Sequence, residues 1–99
     1  MNNNVDKIEA GLKEGAVKFT YYKNNREVNA YGTLILNPGI ALGIKEDDII
    51  YIKENQDTGS LLYWDINKRK VVYLKKPTLY NIVEFVPKEK LLGYEIDFQ

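Results

Sequence analysis

The sequence predicts a single mainly β domain over residues 1–99: a small antiparallel barrel of five or six strands at residues 16–86, preceded by one short helix at residues 3–15. A C-terminal extension at residues 87–99 is expected to end in an edge strand. Three observations lead there. Aromatic residues make up 12% of the chain and eight of them are tyrosines, which together with the Ile, Val and Leu runs suit a half-buried pleated surface. Residues 16–23, 27–36, 61–66, 70–75 and 81–86 alternate in polarity with a period of two. Turn-forming residues separate them.

The N-terminal segment reads as a helix because Val5, Ile8 and Leu12 recur at helical spacing. Asn3 or Asn4 can cap it, Asp6 and Glu9 favour its positive end, and Gly15 suits a left-handed stop. Gly11 costs up to about 1 kcal/mol inside a helix, so the apolar stripe has to dock, and covering an open end of the barrel is the preferred role. From residue 16 the period changes. Val17, Phe19 and Tyr21 take one face of a strand, and Asn24-Asn25 supply the positive φ of a tight hairpin turn. On the return strand Val28, Ala30, Gly32, Leu34 and Leu36 share a face, with Gly32 marking a bulge or a close backbone approach.

Asn37-Pro38-Gly39 is a turn, and residues 40–57 are a long excursion in which residues 49–53 have strand composition between acidic flanks. A turn at residues 57–60 leads into a hairpin of residues 61–66 and 70–75, tipped by Asn67, Lys68 and Arg69. Residues 77–80 suit one turn of 3₁₀ helix, residues 81–86 a further strand, residues 88–92 a helical turn, and residues 94–98 the edge strand. Four strands, a tight turn and a last strand form the order of SH3-like barrels. Val17, Phe19, Val28, Leu34, Leu62 or Trp64, Val83 and Phe85 are the expected core.

Composition excludes whole classes of chemistry. The chain has no histidine and no cysteine, which removes thiol nucleophiles, imidazole bases and the usual ligands of zinc, haem and iron–sulfur clusters. No window reaches 18 apolar residues, and the first dozen residues lack a basic start and an apolar run, so neither a membrane span nor a signal peptide is expected. Lack of cysteine fits a reducing, cytoplasmic setting. No cofactor, metal, membrane or small-molecule substrate is expected. Glu46, Asp47 and Asp48 lack the spacing of a calcium loop, no pair of carboxylates is brought together by spacing, and no hydroxyl sits beside a credible base. The expectation is a protein that is not an enzyme.

Val17-Lys18-Phe19-Thr20-Tyr21-Tyr22-Lys23, then residues 26–34 with Ala30-Tyr31-Gly32-Thr33-Leu34, then Tyr63-Trp64-Asp65-Ile66, Val71-Val72-Tyr73-Leu74-Lys75 and residues 79–82 form a series of short motifs. That series resembles an uncharacterised family of small SH3-like β-barrel proteins of Bacteroides-group gut bacteria and their phages. The resemblance covers residues 17–85 and implies a fold and a phage or bacterial setting, without an activity. Val71-Val72 stand where the family pattern has Trp-Arg, and residues 40–57 have no counterpart in it.

Net charge is zero, with 14 basic and 14 acidic side chains, but its distribution is uneven. Residues 61–80 hold Lys68, Arg69, Lys70, Lys75 and Lys76 against Asp65, whereas residues 37–60 hold two basic against five acidic side chains. The basic stretch also carries Tyr63, Trp64, Tyr73 and Tyr80, and rings among cations are what single-stranded nucleic acid needs. Alternation, however, sends one of Tyr63 and Trp64 into the core, and a sequence pI near 6.3 is low for such a domain. A protein partner or self-association is therefore preferred, as a virion component or a modulator of a host protein. Its candidate contacts are Ile40, Leu42 and Ile44, an apolar run that folds back on the core or meets a partner, with Tyr22 and Tyr31. The alternative is nucleic-acid binding through Tyr63, Lys68, Arg69, Lys70, Tyr73, Lys75 and Lys76.

Overall fold

A computed structural model describes residues 4–56, 60–75 and 80–91. Helix α1 spans Asn4–Glu14, with Asp6 in its first turn and Lys13 in its last. Ile8 and Leu12 are fully buried and Val5 half-buried, so the apolar stripe docks on strand β1, Gly15–Lys23. Gly15 does not act as a left-handed stop. It opens β1, paired with Pro87, at a place where a Cβ would run into the Val86 carbonyl oxygen.

Asn24 and Asn25 have φ of 53° and 63°, the two left-handed residues of a type I′ turn, and they deliver the chain into β2, Arg26–Thr33. The expected strand runs on to residue 36, but the ladder ends at Thr33. There Thr33 Oγ1 donates to the Gly15 carbonyl (2.6 Å) and accepts from the Ile35 N–H (3.0 Å), while the Leu34 N–H turns to the Leu12 carbonyl at the end of α1 (2.8 Å). With the backbone groups engaged on α1, the ladder cannot continue.

The excursion holds a helix, α2 at Glu46–Glu54, where residues 49–53 suggested a strand. End effects overrule the β-branched composition. Glu46, Asp47 and Asp48 occupy the first turn, Lys53 the last, and the Asp48 carboxylate accepts the Lys45 N–H at 3.0 Å. Asn37 makes the expected turn, its Oδ1 accepting from the Gly39 N–H at 2.7 Å. Strands β3 (Ser60–Asp65), β4 (Lys70–Lys75) and β5 (Tyr80–Pro87) and a single-turn helix α3 (Lys88–Leu91) complete the described chain. Of the expected turns at 57–60 and 77–80 only Ser60 and Tyr80 are described, and they open β3 and β5; the rest of those turns and the strand at 94–98 lie outside the described residues. No described helix is long and apolar enough to cross a membrane.

All strands are antiparallel in one sheet of order β4-β3-β2-β1-β5. The sheet is open. No ladder joins β4 to β5 among the described residues: of the expected barrel of five or six strands, five antiparallel strands in one sheet are present and closure is not. The β2–β3 junction is short, two residue pairs at Gly32–Asp65 and Thr33–Trp64, extended by the Ile66 N–H to the Tyr31 carbonyl (2.8 Å).

Because β3 is buried along both faces, it serves two apolar clusters. Leu61 and Tyr63 join Ile8, Leu12, Val17, Phe19, Tyr21, Ala30 and Tyr80 on the α1 side. Leu62 and Trp64 join Ala41, Ile44 and Ile52 on the other, beneath α2. The expected choice between Leu62 and Trp64 is thus no choice, since both are core. Val28 and Leu34 pack half-buried against the clusters as expected. Val83 and Phe85 do not: they are 65% and 44% exposed. An edge strand has one neighbour, and the register of β5 shifts opposite Lys18/Phe19, so that Val83 is the extra residue turned out of the ladder.

Candidate binding surface

Alternation along β1 sends Lys18 and Tyr22 to the face away from α1, and the ladder sets the residues beside them. Tyr31 lies opposite Lys18 and Glu27 opposite Tyr22 on β2, while Glu84 lies opposite Lys18 on β5. Lys18 Nζ is 3.5 Å from Glu84 Oε1 and 5.3 Å from the centre of the Tyr31 ring. Both partners of the ion pair are about half exposed, so solvent holds its contribution to about 1 kcal/mol or less. Between these side chains an open groove of about 410 Å³ is lined by Lys18, Asn29, Tyr31, Asn67 and Val83 over Phe19 and Ala30. Tyr22 and Tyr31, singled out from the sequence, therefore share one face, Tyr22 exposed and Tyr31 half-buried.

Beside the groove runs β5. It pairs with β1 alone among the described residues and exposes Ile82, Val83 and Phe85. The sequence reading missed Ile82 altogether and assigned Val83 and Phe85 to the core, because a period of two shows that a strand has faces but not that anything covers them. A cue was present in Ile82-Val83, two consecutive apolar residues that alternation cannot bury together.

Of the apolar run, Ile40, Ala41 and Ile44 are buried and Leu42 is exposed. The run thus folds back: Ala41 and Ile44 enter the cluster under α2, and Leu42 alone of the three candidate contacts faces outward.

The basic hairpin is differently built from what ring-and-cation binding requires. Tyr63 is 1% exposed, held edge-on to Phe19 with ring centres 5.6 Å apart, so it offers no stacking surface. Trp64 is buried on the opposite face, and Tyr80 is buried with its hydroxyl donating to the Lys75 carbonyl at 2.6 Å. Tyr73 remains exposed. It shares a face of β4 with Lys75, whereas Lys70 points to the other, and Lys68 and Arg69 sit at the tip. That tip is fixed by Asp65, which accepts the Lys68 N–H on Oδ1 and the Arg69 N–H on its carbonyl, both at 2.8 Å, with Arg69 at φ 56°. Lys76 lies outside the described residues. Among the described residues no three acidic side chains gather as a metal site.

The chain matches no protein-family model, no curated protein and no solved structure.

Proposed function

We propose that this chain is a non-enzymatic binding module that takes an extended segment of a protein partner, or of a second copy, along β5. The observation that carries this reading is the exposure of Ile82, Val83 and Phe85 on a strand whose second edge has no ladder among the described residues. An unpaired strand edge offers a row of N–H and C=O groups to another chain, and side-chain contacts beside it supply selectivity. The two edges of this sheet differ. β4 carries Lys70 and Lys75 at its ends, the kind of charge that discourages edge pairing, whereas the one charged residue in β5, Glu84, is matched by Lys18. Val83, the residue bulged out of the ladder, also lines the groove with Tyr31 and Asn29, while Ile82 and Phe85, opposite Phe19 and Val17, stand on the α1 face of the same edge. Aromatic rings beside apolar contacts are typical of interface hot spots.

The strand order supports an SH3-like meander, with the first strand between the second and the last. The resemblance described above adds a phage or bacterial setting, as virion component or modulator of a host protein. The test is a photo-crosslinking amino acid at position 83, with position 73 on β4 as the control edge. Crosslinks to a polypeptide from position 83 alone, lost on Ile82→Lys, support the reading. Equal crosslinking from both positions, or none, overturns it. Labelled oligonucleotides that bind in low salt, and lose both affinity and salt dependence when Lys68, Arg69 and Lys70 become Ala, would replace it with nucleic-acid recognition.

A further inference from the structure

Residues of α1, of α2 and of the chain leaving β2 border a second, open hollow. Its volume is about 250 Å³, and Leu34, Leu36 and Ile52 meet Lys13, Lys53 and Gln56 around it. The apolar members are fixed from below. Ile52 is 1% exposed in the cluster with Leu62 and Trp64, and Leu34 and Leu36 pack against that same cluster. Gln56 is tied to the end of α2 by its side-chain N–H to the Ile52 carbonyl at 2.9 Å. Each lysine stands in the last turn of its helix, where the dipole favours a cation. Helix-end electrostatics explain each lysine singly, but not why two helices distant in sequence bring a lysine each to one apolar hollow.

We infer that this hollow binds a small anionic amphiphile, a medium-chain carboxylate, with its tail on Leu34, Leu36 and Ile52 and its carboxylate between Lys13 and Lys53. Small-ligand sites are concave and mainly apolar, with a few polar groups that fix orientation, and this one has that composition. Both lysines are exposed, and neither is paired with a carboxylate among the described residues, so their charge is available to a ligand. Flexible apolar stems let them lie along the rim while keeping their charged heads in water. The site is independent of the β5 surface and stands whether or not that surface binds a protein.

The single tryptophan reports on it, because Trp64 belongs to the cluster that forms the floor. Decanoate is titrated below its micelle concentration into the full chain while Trp64 emission is followed, with decyltrimethylammonium as the probe of opposite charge. A saturable change with decanoate is expected, weakened roughly tenfold by combined Lys13→Glu and Lys53→Glu, since two exposed charge contacts are lost and reversed. Both substitutions are at the surface, and an unchanged circular dichroism spectrum verifies folding. Absence of a saturable change overturns the inference. Equal binding of the cationic amphiphile, or of decanoate by the folded double variant, overturns it too.

Discussion

At Gly32 a Cβ would enter the ring of Tyr63, at 2.6 Å from Cε2 and closer still to Cδ2. Tyr63 cannot yield, because it is wedged against Phe19 in a cluster that also holds Tyr21 and Tyr80. Gly32→Ala should therefore destabilise the chain by about 2–3 kcal/mol in urea denaturation, as overpacking does; a loss near zero would show that the ring has room. The same enclosure sets the ionisation of Tyr63. Burial first, then the Asp65 carboxylate and the Tyr21 and Tyr80 hydroxyls, pushes its phenol far above the usual tyrosine range. In the unfolded chain the phenol titrates near about 10, so above that pH the unfolded state releases a proton that the native state keeps, and stability falls as pH rises. This contribution is intact below about pH 10. Alkaline titration at the tyrosinate absorbance should leave Tyr63 silent until the protein unfolds; complete titration of all eight tyrosines in the native state would contradict this. Trp64 differs again: its Nε1–H is buried with no acceptor among the described residues. Trp64→Phe then removes an unmet polar group along with some volume, and is expected to cost about 1–2 kcal/mol, less than truncations that leave a large cavity.

Among the elements, α1 shows how a local rule is overridden by packing. Replacing an exposed mid-helix glycine by alanine normally stabilises by about 1 kcal/mol. Gly11 faces β1, and a Cβ there would stand 2.8 Å from Val17 Cγ2 and 3.3 Å from Phe85 Cδ1. Gly11→Ala is therefore expected to lower stability by about 1–2 kcal/mol despite the propensity gain; a rise in the urea midpoint would mean that α1 does not seat as closely as described. What the sequence could disclose about the elements follows from the range of the signal. The β1–β2 hairpin was legible because Asn24-Asn25 and the alternating residues around them are local, and β4 because its ends coincide with a turn and a lysine pair. Helix α2 was misread because Ile49, Ile50 and Ile52 look like a strand until the acidic first turn and the Asp48 bond to Lys45 are weighed. The exposure of β5 was illegible for a different reason: it depends on which strand lies last in the sheet and on the register shift opposite Lys18/Phe19, neither of which is written in five neighbouring residues. The groove inherits that limit. Tyr22 and Tyr31 were identifiable as surface aromatics, but the groove beside Tyr31 is completed by Asn67 and Val83 from distant parts of the chain.

For the whole molecule, the decisive feature is that two clusters share one strand. Leu61 and Tyr63 belong to the cluster under α1, Leu62 and Trp64 to the cluster under α2, and Leu34 packs against both. Neither side can lose its packing without stripping apolar surface from β3, whose other face the second cluster needs, so partial unfolding of one side exposes residues of both. The excursion carrying Ala41, Ile44 and Ile52 is then a cover for the second face of the sheet and not an appendage. Two probes can watch the sides separately: Trp64 emission for the α2 side, and the near-ultraviolet circular dichroism of the Tyr21, Tyr63 and Tyr80 group for the α1 side. Urea unfolding should give coincident midpoints by the two probes, the signature of one cooperative unit. Ile52→Ala, made in the α2 cluster alone, should shift both midpoints together and cost about 2–4 kcal/mol, as a buried large-to-small replacement does. If instead Trp64 emission changes at lower urea while the tyrosine signal holds, the α2 side opens on its own, and β3 is not the common strut that its two buried faces imply.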